Sequence, residues 1–577
     1  MPVLVCDVQS GDPGRGSGDA STRGPASRYR LAGPARASGS RGCGARERLT
    51  PARIAATMLV VAALGGCASV PPGSDFPKHA SVAFPHPEDT KIAKQFADAA
   101  NEHSGASGFR ILSVGTEGFA IRVQLIAGAE HALDVQYFIF RGDKTGQLLT
   151  EALLHAADRG VHVRLLIDDS QLETGDVGVI ALAAHPQIEI RLFNPFAYRG
   201  HQSALRGAEF LLHNPRLDFR MHNKLLVVDN AAALIGGRNV GDPYFQMDAA
   251  EQYADDDVFV VGPTVRALST TFDEFWNSAF AIPVEALAGG MPKDAALAAE
   301  RRHLSVQHQE IRQKGDAYFK RAESGEPLGG ILGGQTPLVW ATAKVVSDSP
   351  NKKRVVAGSM VGRLMYEPVA AAAAAATSEL LMITPYFIPD PKELELLKTL
   401  RDRDVRVRIL TNSLASTNEL SAHSGYVRFR PELVQDGVEL HELRAMLGNA
   451  RGSGQTAALS RFGNYGLHGK LFVFDRRRLF IGSMNFDQRS MNLNTEIGLI
   501  IDSPELAEQT AARFEAMTQP ANAYRVALRP ESNGGAGLVW RTQEGGKSVE
   551  YTREPSRNVW RRFVVRFLRF LPLDREL

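Results

Sequence analysis

Two stretches of this chain carry the same polar residues at the same offsets, and that repetition limits the possible fold more than any other feature. The first is RMHNKLLVVDNAAALIGGRN, residues 220–239, and the second is LHGKLFVFDRRRLFIGSMNFD, beginning at Leu467. His222, Lys224 and Asp229 precede Gly236, Gly237 and Asn239, just as His468, Lys470 and Asp475 precede Gly482, Ser483 and Asn485. One copy alone would be explained as well by an edge strand with polar residues facing water, because short motifs match by accident. Two copies call for a common architecture.

The surroundings repeat as well. HALDVQYFIF at 131–140 is a β-rich run, a helical pattern follows over 146–158, and GVHVRLLIDD at 160–169 alternates as a strand. In the second half ELLMITPYFIP at 379–389 predicts a strand, 391–401 a helix and DVRVRILTNS at 404–413 a strand. Tyr137-Phe138 is expected to answer Tyr386-Phe387. From Val161 to His222 is 61 residues, and from Val405 to His468 is 63. The expected fold class is α/β, with two tandem halves, each a mixed sheet flanked by helices. The halves are expected at 101–280 and 336–530, joined by a connecting segment at 281–335 and followed by a tail at 531–577. A chain of 577 residues is too long for one core in any case.

The front of the chain reads differently. Residues 1–48 are rich in Gly, Ser, Ala, Pro and Arg without hydrophobic period, and are expected to be disordered or to precede the true start. Arg48 and Arg53 then supply a positive start, and residues 49–67 carry a short apolar core from Ile54 to Leu64 and Leu64-Gly65-Gly66-Cys67, the form of a bacterial lipoprotein processing box. The apolar run is shorter than the ~20 residues a spanning helix needs. Cys67 is therefore the expected lipidated residue, Ala68 after it is compatible with outer-membrane sorting, and proline-bearing residues 68–100 are expected to be a tether. The expected location is the bacterial envelope, as an anchored lipoprotein facing the periplasm. The only cysteines are Cys6, Cys43 and Cys67, so nothing beyond residue 67 can form a disulfide or act as a thiol nucleophile.

The repeated residues suit phosphate chemistry. On a strand, residues i and i+2 share a face, so His222 and Lys224 project together, as do His468 and Lys470. A histidine is a nucleophile toward phosphorus and an acid or base near neutral pH. A neighbouring lysine offers charge to the nonbridging oxygens. Asn239 and Asn485, after glycine turns, can donate amide hydrogen bonds to the same phosphate, with Ser483 beside them. Asp229 and Asp475 complete the candidate catalytic set as turn and scaffold holders, because their odd spacing points them off the lysine face. Pairing the copies across an interface would put two histidines on opposite sides of one phosphorus, in one site. Lysines and asparagines then hold the charge, so no metal or other cofactor is expected; a lysine two residues from each histidine repels a cation. Each histidine needs a carboxylate to set its tautomer. Counting back from Pro263 and Pro504 aligns Asp255 with Glu496 as the supporting pair, with strand capping as their alternative role.

H-x-K-x(4)-D followed by G-[GS]-x-N resembles the signature of the phospholipase D superfamily, and the resemblance runs from about residue 109 to about residue 502. LDVQYFIF, RLFNPF at 191–196, RMHNKLLVVD, GGRNVGDPYF at 236–245 and a Trp/Arg-rich terminal segment are similar to the bacterial cardiolipin synthase C group. The resemblance implies two phospholipase D-like halves related by a pseudo-two-fold axis, with one active site at their interface. It implies transfer of a phosphatidyl group to phosphatidylglycerol through a phosphohistidine on His222, with phosphatidylethanolamine as a donor. The alternatives are hydrolysis to phosphatidic acid, a nuclease of the same superfamily, or a non-catalytic envelope lipoprotein. The Arg/Gly-rich front and the processing box depart from the group's pattern.

Phospholipid substrates and a membrane surface are the expected partners. Net charge of +2 and a pI near 8.3 offer no basic field for nucleic acid, which is not an expected partner. RNVWRRFVVRFLRFLPL at 557–573 places Trp560, Phe563, Val564, Phe567, Leu568 and Leu571 at helical spacing, with Arg562, Arg566 and Arg569 on another face. That pattern fits an interfacial helix on anionic lipid, or a last helix docked on the domain with snorkelling arginines.

Overall fold

In the first half, three parallel strands, Ala132–Tyr137, His162–Asp168 and Ile188–Phe193, lie side by side. Leu225–Val228, Ala232–Gly236, Asp257–Val261 and Ser107–Leu112 extend the sheet antiparallel on one side, and Ala281–Pro283 closes the other. The second half repeats the order with Glu379–Ile383, Arg406–Asn412 and Glu439–Leu443 parallel, then Leu471–Phe474, Arg478–Gly482, Ile497–Asp502 and Val339–Ser347 antiparallel. Ser107–Leu112 also pairs with the start of Val339–Ser347, which joins the two sheets into one of eighteen strands among the described residues. The computed structural model describes residues 71–170, 177–199, 203–248, 251–287, 294–313, 320, 324–446, 465–530 and 536–570. The mixed α/β repeat is the one the sequence predicts. Cys67 and residues 1–70 lie outside the described residues, as does most of 444–465.

Local chemistry sets the elements. Asp143 caps the helix Lys144–Asp158 by accepting from Gly146 N, and Asp390 with Glu393 forms a capping box ahead of Pro391–Asp402, where Pro391 needs no donor. The parallel strands are buried along nearly their whole length, charged residues such as Asp134, Arg164 and Arg191 included, because helices cover them, whereas Val339–Ser347 is exposed at several positions. One apolar cluster draws Leu225, Val227, Ile235 and Phe219 from the first half together with Leu471, Val473, Ile481 and Leu467 from the second, so the interface between halves is itself core.

Two expectations change. The register equates Leu133 with Leu380, since these pair with Val228 and Phe474, each six residues beyond its motif histidine. Phe140 then corresponds to Phe387, as their bridges to Val240 and Phe486 also require, and Tyr137 corresponds to Thr384. The Tyr-Phe pairs are thus two places out of step, because similar dipeptides at a strand end do not fix a register. The tether expected at 68–100 is not free in its described part. Arg191 Nη2 donates to His79 O at 2.7 Å, Ala83 N donates to Asp273 Oδ2 at 2.9 Å, Phe84 stacks on His131 at 4.3 Å and Phe96 is buried. Extended, proline-bearing backbone carries unmet polar groups, and Arg191 of strand Ile188–Phe193 and Asp273 of helix Pro263–Trp276 meet two of them. The connecting segment also folds onto the first half, where Arg301 of helix Asp294–Gln313 pairs with Asp158 at 2.6 Å.

Candidate active site

Each half hands backbone to the other at the site. Met221 bridges Thr495 in parallel, with His222 N donating to Thr495 O at 2.8 Å and Thr495 N donating to Arg220 O at 2.9 Å. In the mirrored place Tyr465–Leu467 pairs in parallel with Gln252–Ala254, and His468 N donates to Ala254 O at 2.8 Å. Thr495 and Ala254 directly precede Glu496 and Asp255. The exchange therefore lays each histidine against the carboxylate of the opposite half. His222 Nδ1 lies 3.0 and 2.9 Å from the two Glu496 oxygens, and His468 Nδ1 lies 2.6 Å from Asp255 Oδ2. Facing an ionised carboxylate, Nδ1 carries the proton and Nε2 keeps its lone pair.

All four side chains are buried, as are Lys224 and Lys470. Lys224 Nζ donates to His222 O at 2.6 Å, and Lys470 Nζ donates to His468 O and lies 3.0 Å from His468 Nδ1. Burial, then Lys224 and Lys470, hold His222 well below the ordinary imidazole pKa; burial and Lys470 bring His468 down to about 3, with Lys224 contributing. Each histidine feels the lysine of the other half, as groups in one site must. Burial lowers Lys470 to about 8, with Asp255 and Glu496 resisting.

The two carboxyls differ. Burial raises Glu496 to about 7 although Lys224 and the Ser483 hydroxyl favour its charge. Burial would raise Asp255 too, but His468, Lys470 and Arg238 outweigh it and hold Asp255 well below the carboxylate range. Their supports explain the contrast. Arg238 donates to Asp255 O and to Asp257 Oδ2, which also receives Arg122 Nη2 at 2.8 Å. Gly498 occupies the register place of Asp257 in the second half, so no such arginine pair forms there. Asp348 instead accepts from Glu496 N at 2.9 Å and from Lys352 Nζ at 2.8 Å, while Lys352 also donates to Ser490 O and Asn494 O.

Of the remaining candidates, Asn239 Nδ2 donates to the Tyr244 hydroxyl at 3.0 Å and its oxygen accepts from Ile139 N. Asn485, at the equivalent place, has a buried side-chain oxygen without a hydrogen-bond partner among the described residues. Ser483 Oγ meets Glu496 and receives Ile497 N, so it serves the carboxyl. Asp229 and Asp475 sit at positive φ in tight turns away from the histidines. Asp229 accepts from Glu130 N, His131 N and Ala132 N, and Asp475 from Thr377 N, Ser378 N and Glu379 N. Sequence reasoning missed the aromatic walls: Phe138 stands edge-on to His222 at 4.9 Å, and Tyr244 and Tyr253 lie 5.0 and 5.5 Å from His468. They are not repeated between halves, so the repeat carried no signal for them. No group of three or more His, Cys, Asp or Glu side chains placed to hold a metal occurs among the described residues.

Two duplicated α/β halves sharing one buried pair of carboxylate-backed histidines, each beside a lysine, define a phosphodiester-transfer enzyme of the phospholipase D type. A family described as "Cardiolipin synthase, PLD-like domain" matches twice, at residues 123–276 and 369–518, once in each half. Cardiolipin synthase C of Escherichia coli is 33% identical over 84% of this chain and 99% of its own length. Cardiolipin synthase of Alkalihalophilus pseudofirmus is 25% identical over 69% of this chain and 63% of its own. The crystal structure of Haemophilus influenzae phosphatidylserine synthase aligns over 75% of this chain and 92% of its own, at 12% identity and a TM-score of 0.47. The chain belongs to the phospholipase D superfamily and, within it, to the cardiolipin synthase-like phosphatidyltransferases.

Proposed function

We propose that this protein makes cardiolipin by moving a phosphatidyl group from a donor phospholipid, phosphatidylethanolamine among them, to phosphatidylglycerol. The observation that carries the reading is the crossed pairing of His222 with Glu496 and His468 with Asp255 between two lysines. In this mechanism His222 Nε2 attacks phosphorus in line, the bond to the head-group oxygen breaks, and His468 supplies the proton that oxygen needs. Burial, then Lys470 and Lys224, depress His468, and a bound phosphodiester anion offsets the lysine part, which favours the protonated ring. In the second step His468 takes the proton of the acceptor's hydroxyl, whose oxygen attacks phosphorus and breaks the P–N bond. Lys224 and Lys470 hold the nonbridging oxygens throughout. Water in place of the lipid hydroxyl would give phosphatidic acid, which is the second reading.

Mass spectrometry of mixed phosphatidylethanolamine and phosphatidylglycerol vesicles after incubation with the protein separates them. Cardiolipin as the main product is expected; phosphatidic acid alone would favour hydrolysis. The same reading includes a membrane-attached enzyme of the bacterial envelope, anchored through lipidated Cys67 and touching the surface with its C-terminal helix. Among the described residues no helix is long and apolar enough to cross a membrane. A Cys67→Ser variant is expected to stay unprocessed and take up no lipid label, and unchanged processing would remove the anchor from the proposal.

A further inference from the structure

The helix Val559–Leu568 begins at Asn558, whose side chain accepts from Arg561 N. Its inner side is bound to the protein. Val565 is buried, Arg561 Nε donates to Leu414 O at 3.0 Å and its Nη2 to Thr417 O, Arg557 donates to Ala415 O, and Arg562 donates to Glu554 O at 3.0 Å. Its outer side is aromatic. Trp560 is 66% exposed, Phe563 58%, Phe567 56% and Phe570 86%, at spacings of three, four and three residues, with Trp560 stacked on Phe563 at 5.3 Å. Arg566 and Arg569 are exposed between them, and no acidic residue occurs from 555 to 573.

The seat of this helix is the rim of the active site. Residues 414–418 follow Asn412, whose side chain exchanges two hydrogen bonds with Leu467, the residue before His468. Asn418 Nδ2 donates to the Tyr253 hydroxyl at 3.2 Å, and Tyr253 lies over His468. Direct contacts therefore run from Arg561 to the histidine.

We propose that the outer face of this helix docks on an anionic phospholipid surface and, being fixed to the rim, sets the site's approach to lipid in that surface. The proposal rests on the lipid substrate proposed above. A ten-residue helix is too short to span and has the length and face to lie flat. Aromatic side chains suit the boundary between headgroups and acyl chains, and arginines suit anionic headgroups. An acid-free, arginine-bearing face is complementary to an anionic surface and repels a second copy of itself.

The test uses the full chain in a Cys67→Ser background, so that no N-terminal lipid contributes. Co-sedimentation with phosphatidylglycerol and with phosphatidylcholine vesicles is measured beside turnover of a short-chain phosphatidyl substrate kept monomeric. The parent is expected to prefer phosphatidylglycerol and to weaken with salt. Trp560→Ser/Phe563→Ser/Phe567→Ser is expected to lose at least about tenfold in vesicle affinity while keeping monomer turnover within about twofold, since these side chains face away from the fold. Parent-like vesicle binding by that variant would overturn the proposal, as would a parallel loss of thermal stability and monomer turnover. Self-association of the parent that the variant loses, with no vesicle binding by either, would replace the lipid with a second copy. Differing vesicle affinities with no turnover of any phospholipid would count against the proposed reaction and leave the docking face standing.

Discussion

His222 Nδ1 reaches both oxygens of Glu496 across 274 positions of sequence, while His468 reaches one oxygen of Asp255. Neither half holds the acid that orients its own histidine. A separated half would present its imidazole without that acceptor.

The first prediction follows from that crossing. Glu496→Gln and Asp255→Asn keep shape but remove the charge that holds Nδ1–H, so each is expected to lower kcat by ~10²–10⁴-fold. His222→Ala and His468→Ala should abolish turnover separately. Either histidine variant retaining most of the activity would break the one-site mechanism.

A second concerns pH. Glu496, raised to about 7, must be ionised to accept from His222, and Lys470, lowered to about 8, must be protonated to hold phosphate oxygens. Activity is therefore lost as pH falls through the first value and as it rises through the second, which gives a narrow bell in kcat/KM whose apparent values belong to the coupled site. Ser483→Ala removes a hydrogen bond that favours ionised Glu496, so the acid limb should move to higher pH. Lys470→Arg, charged to ~12 or above, should carry the alkaline limb upward at a reduced maximum. A flat profile from pH 6 to about 9 in the parent would contradict both assignments.

The glycine and serine before the asparagines are not interchangeable. A Cβ on Gly237 would sit 2.1 Å from Asp255 Oδ1, whereas the Ser483 side chain holds Glu496. Gly237→Ala is expected to displace Asp255 and lower kcat by about tenfold or more, a barrier increase of ~1.4 kcal/mol. Full activity would mean that the carboxylate can move without cost to His468, and steady-state kinetics on the folded variant decides.

How much of this could be read in the chain depends on what repeats. The polar offsets, the strand–helix–strand order and the alignment of Asp255 with Glu496 are duplicated, and the structure puts those two acids in equivalent register. The crossing of acids to histidines is a tertiary relationship that no spacing encodes. Arg122, Asp257 and Arg238 on one side and Asp348 with Lys352 on the other do the same supporting work with unlike residues, so comparing the halves hides them. The prolines after residue 70 announce extended backbone but not the strand and helix side chains that satisfy it. The C-terminal pattern announced an amphipathic helix; only its seat tells which face is outward.

The last prediction separates scaffold from chemistry within the motif. Asp229 is buried at φ 52°, and its carboxylate accepts from three consecutive backbone N–H groups at 2.9, 2.7 and 2.8 Å, at the start of strand Ala132–Tyr137. That strand pairs with Leu225–Val228, which follows His222 and Lys224 directly. Asp229→Ala leaves those donors without their acceptor and places alanine in a left-handed turn, and the two effects together are expected to cost ~3 kcal/mol or more. Asp229→Asn tolerates the turn and keeps one acceptor oxygen, so it should cost clearly less. Denaturant midpoints measure the loss, and kcat per folded molecule should stay within a few-fold of the parent in both variants. An unchanged midpoint with kcat reduced to the level of His222→Ala would instead make Asp229 a participant in proton transfer.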